Sequence, residues 1–226
     1  FKITDKYFAK STLTQNNIKV LVNGTEVTGK ITGFSTKALT ESKTTNGTTS
    51  QVQYGVEYTV TISNFDTSAN QVLLRIPQGK VIDQYGNSNK QTDLILYNVL
   101  KSAESEADAT SVFLGGKIQR QNIDNVTFVD NIPSTVYDKS AQAYVDDTAW
   151  DVSAMQDKSI LAWYTTNANG SLKVYIGSDN EIFGNYNSSY LFKHIGYSDK
   201  CTSAETITNI NLLNVSSVTN MRGMFW

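Results

Sequence analysis

The chain is 226 residues long, 39% apolar and 18% charged, with a formal net charge of −2. That length holds one large or two ordinary domains, and twelve tyrosines with nine phenylalanines are enough to build real cores. The near-neutral balance excludes the basic footprint of a nucleic-acid binder or of a protein drawn to anionic membranes.

From Phe1 to about Leu100 the pattern predicts strands separated by polar turns. Phe1-Lys-Ile-Thr4 alternates, and so does Ile18-Lys-Val-Leu-Val22 ahead of Asn23-Gly24. Asn-Gly is a strong hairpin signal, because a type I′ turn needs positive φ at both central residues. Val27 to Ile31 continues the strand pattern. Thr40 to Gln51, rich in Ser and Thr around Asn46-Gly47, reads as a loop or an exposed hairpin tip. In Val56-Glu-Tyr-Thr-Val-Thr-Ile62, residues Val56, Tyr58, Val60 and Ile62 share one face. Val72–Ile76 and Leu94–Val99 supply further strands, and Pro77 closes the first where a missing N–H is tolerated. About seven short strands in ~100 residues predict an immunoglobulin-type β-sandwich over residues 1–104. The loop Asp83-Gln-Tyr-Gly-Asn-Ser-Asn89 gathers oxygen-bearing side chains around a glycine, but it holds one carboxylate where calcium sites use several. It is read as a structural turn. With Gly79-Lys-Val-Ile-Asp83 before it, it looks like the late strand and turn of Ig-like domains of bacterial surface proteins.

Residues 101–109 lose the apolar pattern and read as a linker. Beyond it, Val112-Phe-Leu114 with Ile118 predicts a short amphipathic element, and Ile123–Val129 a strand. Ile160–Tyr164 and Leu172–Ile176 form a hairpin around Thr165–Gly170, and Glu181–Phe183 adds a further strand. Ser189–Ile195 is predicted as a short helix capped by Ser188. Residues 105–226 are thus expected to form an α+β cap leading into a last, distinctive stretch.

In that stretch Leu212, Leu213, Val215 and Val218 predict a short buried strand. Thr219 is placed to cap one helical turn ahead of Asn220, and Met221, Met224 and Phe225 fall at i, i+3 and i+4 on one face of it. Such a unit cannot bury its own apolar side and needs a stacked neighbour. Because the sequence given stops at Trp226, the expectation is an open first rung. That rung would be covered by Trp226 folding back, or by self-association through this end.

Leu213-Asn-Val-Ser-Ser-Val-Thr-Asn-Met-Arg-Gly-Met-Phe225 resembles the repeat of BspA-type bacterial surface proteins, a leucine-rich-repeat-like family shared with Mycoplasma lipoprotein-associated repeats. It departs from the family wording at Asn214 and Ser217, where aspartate and asparagine are usual. Trp150–Ser153, Ser159–Tyr164, Leu172–Ser178 and Ser188–Phe192 are similar to the non-repeating cap that precedes such repeats. The resemblance covers about the second half of the chain. It implies a mainly β protein, with an Ig-like sandwich followed by a cap and the first rung of a repeat solenoid.

The residues point to little chemistry. Nucleophilic catalysis with a histidine base has only His194 to use, and His194 sits where a packing or helix-end role is expected. Asp146, Asp147, Asp151 and Asp157 lie in turn-like sequence without a partner pattern for glycoside hydrolysis. Tyr164, Tyr175, Tyr186 and Tyr197 are read as packing residues rather than sugar platforms. Cys201, the single cysteine, excludes an intrachain disulfide and a cysteine zinc cluster. It is read as a small core residue. No run approaches the ~20 apolar residues of a membrane span, and Phe1 opens on strand-like sequence with no signal-peptide pattern. No catalytic, cofactor-binding or metal-binding residues are assigned. The expectation is a non-catalytic adhesin, secreted or held on a bacterial surface, that binds a host or extracellular-matrix protein or a glycan, and no nucleic acid. The alternative is a carbohydrate-binding or accessory region of a larger glycan-active enzyme.

Overall fold

The computed structural model describes residues 1–63, 69–103, 107–203 and 206–226. The described chain is mainly β, with single 3₁₀ turns and no α-helix. It divides into two compact units, Phe1–Asp66 with Val72–Ile95, and Thr67–Gln71 with Leu96–Trp226. Residues 101–109, read from sequence as a linker, fall within the second, with 104–106 lying outside the described residues.

The first unit is built from β1 (Lys2–Thr4), β2 (Phe8–Ser11), β3 (Lys19–Val22), β4 (Thr25–Val27), β5 (Ile31–Thr45), β6 (Thr48–Ile62), β7 (Gln71–Ile76), β8 (Val81–Asp83) and the start of β9 (Thr92–Val99). Strands pair in the orders β1-β6-β5, β9-β7-β3-β4 and β2-β8. Asn23 and Gly24 take φ of 50° and 78°, the double left-handed geometry of a type I′ turn, so β3 folds straight back on β4. The strand expected from Val27 to Ile31 is broken instead. Gly29 takes φ of 69°, and the chain turns between β4 and β5.

The polar stretch from Thr40 to Gln51 is the far half of a long hairpin. β5 and β6 pair from Ile31↔Ile62 to Thr45↔Thr48 and turn at Asn46–Gly47. β1 covers β6 only at Gly55–Glu57, where the Ile3 carbonyl lies so close to Gly55 that no side chain fits. In β6, Val56 and Tyr58 are buried and Val60 and Ile62 half-buried, while the residues between them are more exposed. The Asp83 loop is held by its own groups. The Asp83 carboxylate accepts the Asn87 side-chain amide and the N–H groups of Asn87 and Tyr85, which together hold it below the usual carboxylate range.

The second unit contains β10 (Ile123–Val129), β11 (Tyr137–Asp138), β12 (Ala143–Tyr144), β13 (Trp150–Asp151), β14 (Leu161–Thr166), β15 (Leu172–Gly177), β16 (Ile182–Phe183), β17 (Ile207–Thr208) and β18 (Leu213–Asn214). Its main sheet runs β13-β14-β15-β10-β17. β14 and β15 form the expected hairpin, and β10 lies parallel to both β15 and β17. Alternation sorts the two faces. Val126, Phe128, Ala162, Val174 and Ile176 point into one buried core, and Leu161 and Trp163 into a smaller cluster with Ile132, Val136 and Tyr137. Phe113, Leu114 and Ile118 enter the larger core from a tight turn closed by the Phe113 N–H on the Ile118 carbonyl, not from an amphipathic element.

A second parallel set places Asn98–Val99 beside Ile182–Phe183, and Ile182–Phe183 beside Leu213–Asn214. The helix expected over Ser189–Ile195 does not form. Its place is taken by i→i+3 turns, Leu191 to Ser188, Lys193 to Tyr190 and Ile195 to Phe192, with Tyr190 and His194 at φ of 60° and 63°. Positive φ at those two residues is incompatible with a right-handed helix.

Candidate functional site: stacked turns and a polar groove

The turns after β16 and after β18 lie one on the other. N–H groups of Ser188, Tyr190, Phe192 and His194 donate to the carbonyls of Asn220, Arg222, Met224 and Trp226, at 2.9, 3.0, 2.8 and 3.0 Å. The same local geometry recurs thirty-three residues apart. Asn187 accepts from the Ser189 N–H as Asn220 accepts from Arg222, and Leu191 bonds back to Ser188 as Met224 does to Met221. Leu191 and Met224 are both buried, and the rings of Phe192 and Phe225 stack at 5.6 Å. Beneath the upper turn, Arg120 is fully buried and its Nη1 donates to the carbonyls of Tyr190, Leu191 and Lys193.

Most residues singled out in the last stretch meet here, but not as one helical face. Leu213 is buried in β18, Leu212 is half-buried and Val215 is exposed. Val218 rests over Gly184, where an added Cβ would come 2.7 Å from its Cγ2. Thr219 caps no helix: its hydroxyl and its N–H both donate to the Tyr186 carbonyl. Gly223, at φ of 59°, splits the expected helical turn in two. Met224 is therefore 3% exposed while Met221 is 45% and Phe225 64% exposed. Among the described residues the N–H groups of Met221, Gly223 and Phe225 meet no acceptor, so the outer edge of this turn offers a row of donors beside exposed apolar side chains.

A second feature lies at the start of the parallel strands. The turn Asn167–Ala168–Asn169 and the segment Thr202–Ser203 border, with Asn125, Lys173 and Thr208, an open groove of about 640 Å³. Asp124 holds it together. Its carboxylate accepts the N–H groups of Thr202 (2.7 Å) and Ser203 (2.9 Å), the Ser203 hydroxyl and the Asn167 amide. Burial alone would raise this carboxyl, but the bonds from Ser203 and Thr202 outweigh it and keep the group below the usual range. Asn125 donates to the Thr208 hydroxyl and accepts from Thr127, so the floor is pre-set. The Lys173 ammonium sits 5.2 Å over the Tyr175 ring, itself stacked on Trp163. Sequence reading missed this groove because Asp124 and Asn125 read as strand, and their partners lie about eighty residues further on.

The other chemical candidates are engaged locally. Asp151 accepts the N–H groups of Ser153 and Lys158, Asp146 that of Thr148, and Asp157 bonds Ser159 and Gln71. His194 packs edge-on to Tyr197 at 5.2 Å, and burial together with Lys193 lowers its pKa. Tyr164 packs on the larger core, while Tyr186 and Tyr197 are exposed. Cys201 is half-buried, its thiol pushed up chiefly by burial. Among the described residues no three of His, Cys, Asp and Glu gather to hold a metal ion, and no helix is long and apolar enough to cross a membrane. Compared with known proteins, the chain matches no family model, no curated protein and no solved structure.

Proposed function

We propose that the chain is part of a non-catalytic binding protein, secreted or carried on a bacterial surface, of the BspA-type repeat kind. On this reading it is an adhesin for a host or extracellular-matrix protein or glycan. The first unit is an Ig-like sandwich acting as a spacer, and the stacked turns are the first layers of a solenoid that presents the binding face.

The observation that carries this reading is the recurrence of one turn thirty-three residues apart, joined by four backbone hydrogen bonds in register. Repeats of this kind bury their apolar side on their neighbours and expose a continuous surface, which suits broad contact with a macromolecule better than enclosure of a small substrate. The exposed Met221, Phe225 and Trp226, beside N–H donors that meet no acceptor among the described residues, add an apolar, adhesive edge, where self-association or pairing with an extended segment is expected.

The test is solid-phase binding of the 226-residue protein to a panel of matrix proteins and glycans, beside a Met221→Ser/Phe225→Ser variant of equal stability. Saturable binding to a panel member, weakened at least tenfold in the variant, supports the reading. Equal binding by the two proteins, or hydrolytic turnover of peptide, ester or glycoside substrates that is lost in His194→Ala, overturns it.

A further inference from the structure

We propose that the groove over Asn125, Lys173 and Thr208 is a binding site for an acidic saccharide, a sugar ring with several hydroxyls and one carboxylate. Its place in the fold is separate from the stacked turns, and it stands or falls independently of them.

The groove is built before any ligand arrives. Asp124 draws the Asn167 amide and the backbone of Thr202 and Ser203 to one point with four hydrogen bonds. Asn169 ties its loop to the Lys200 carbonyl at 2.7 Å, and Asn125 fixes the Thr208 hydroxyl at 2.8 Å. Walls and floor therefore keep their shape without an occupant, which lowers the ordering cost of binding. A volume of about 640 Å³ lies within the range of small-molecule sites.

The groups facing the space select the ligand. Asp124 is the one carboxylate among the described lining residues, and both its oxygens are already taken by the fold. Among the described lining residues the Asn125, Asn167 and Asn169 amides are likewise bonded within the fold, so what is left to meet a ligand is the hydroxyls of Thr202, Ser203 and Thr208 with one cation, Lys173. Among the described residues Lys173 has no carboxylate within ion-pair distance, and its ammonium is steadied over Tyr175. These hydroxyls, each able to donate and accept, match vicinal sugar hydroxyls. The lone ammonium matches one carboxylate. A bare phosphate would be better met by several cations or by converging N–H groups. A peptide would be better met by apolar side-chain pockets, and the described lining residues include no large apolar side chain.

The experiment is titration of the isotopically labelled 226-residue protein with glucuronic acid and N-acetylneuraminic acid, followed by amide NMR. Glucose, inorganic phosphate, acetate and triglutamate are the comparison probes. The acidic sugars should shift Asn125, Asn167, Asn169, Lys173 and Thr208 saturably, with at least one bound about tenfold tighter than glucose, the size of one charge-assisted hydrogen bond. Lys173→Gln should remove that preference and Lys173→Arg should restore part of it, while Lys37→Gln changes nothing. Phosphate or acetate binding as tightly as the acidic sugars would reduce the site to an anion contact and overturn the proposal. Tighter binding of triglutamate or of glucose, shifts confined to other residues, or no shift at all would overturn it equally.

Discussion

Tyr190 and Gly223 hold the same left-handed backbone, φ of 60° and 59°, at equivalent points of two turns that lie one on the other. Glycine adopts this conformation freely, whereas tyrosine is held in it at a cost of roughly 1–2 kcal/mol. The cost at Tyr190 is offset by the bonds around it. Its N–H reaches Arg222, its carbonyl takes Arg120 and Lys193, and its ring lies under the cations of Lys193 and Arg222.

Gly223→Ala is therefore expected to destabilise the second unit. The new methyl would meet the Tyr190 ring at 2.8 Å on a backbone that already disfavours it. A loss of about 1–2 kcal/mol should appear as a lower urea midpoint for that unit, with the first unit unchanged. An unchanged midpoint would show that this turn is not held as described.

Arg120 is the larger lever. Arg120→Met keeps the bulk of the side chain but removes the donor to the Tyr190, Leu191 and Lys193 carbonyls, of which, among the described residues, Tyr190 alone keeps a second partner, the Lys193 N–H, so a loss of about 2–3 kcal/mol is expected. Arg222→Met, on the exposed face, should stay within about 0.5 kcal/mol. Chemical denaturation of both variants measures the contrast, and equal effects would contradict the keystone role of Arg120.

Strand pairing was the most legible part of the sequence. Alternation at Val56–Ile62 and the Asn23-Gly24 and Asn46-Gly47 pairs announce the hairpins seen, because period-two burial and positive φ leave a local mark. The turn at Ser188–Ile195 left no such mark. Tyr190 and His194 carry no signal for positive φ, and Leu191-Phe192 imitates a helical face. The recurrence with Met221–Trp226 rests on little more than Asn187/Asn220, Leu191/Met224 and Phe192/Phe225, too few matches to stand out in one chain. The groove was hidden for a different reason. Asp124 meets Thr202 and Ser203 only through the β10–β17 pairing, which no local pattern announces.

Asp124 also sets an acid limit. Its carboxyl lies below its ordinary value in the folded chain, so its stabilisation is present above the unfolded pKa of about 3.9 and is lost as pH falls through the folded value. Asp124→Asn should cost about 1–3 kcal/mol at neutral pH. The gap between the two proteins should close below about pH 4. Urea midpoints at three pH values give the comparison, and a gap that persists at low pH would argue against a charged Asp124 organising the Thr202–Ser203 segment.

The far half of the β5/β6 hairpin has only two strands, and its side chains are exposed on both faces. A two-stranded ribbon is marginal in water. Limited proteolysis is expected to cut near Asn46–Gly47 well before any cut in Val56–Ile62. Replacing Lys43–Ser50 by a tight Asn-Gly turn should leave the first unit's melting temperature within a few degrees, and a collapse of that unit would show the hairpin tip to be structural.

Amide hydrogen exchange resolved by residue tests the stacked-turn account most directly. Ser188, Tyr190, Phe192 and His194, whose N–H groups bond to the next turn, should exchange slowly. Met221, Gly223 and Phe225, whose N–H groups meet no acceptor among the described residues, should exchange quickly and become protected when a matrix protein or glycan from the binding panel is added. Fast exchange at the first four, or ligand protection that bypasses the last three, would contradict the account.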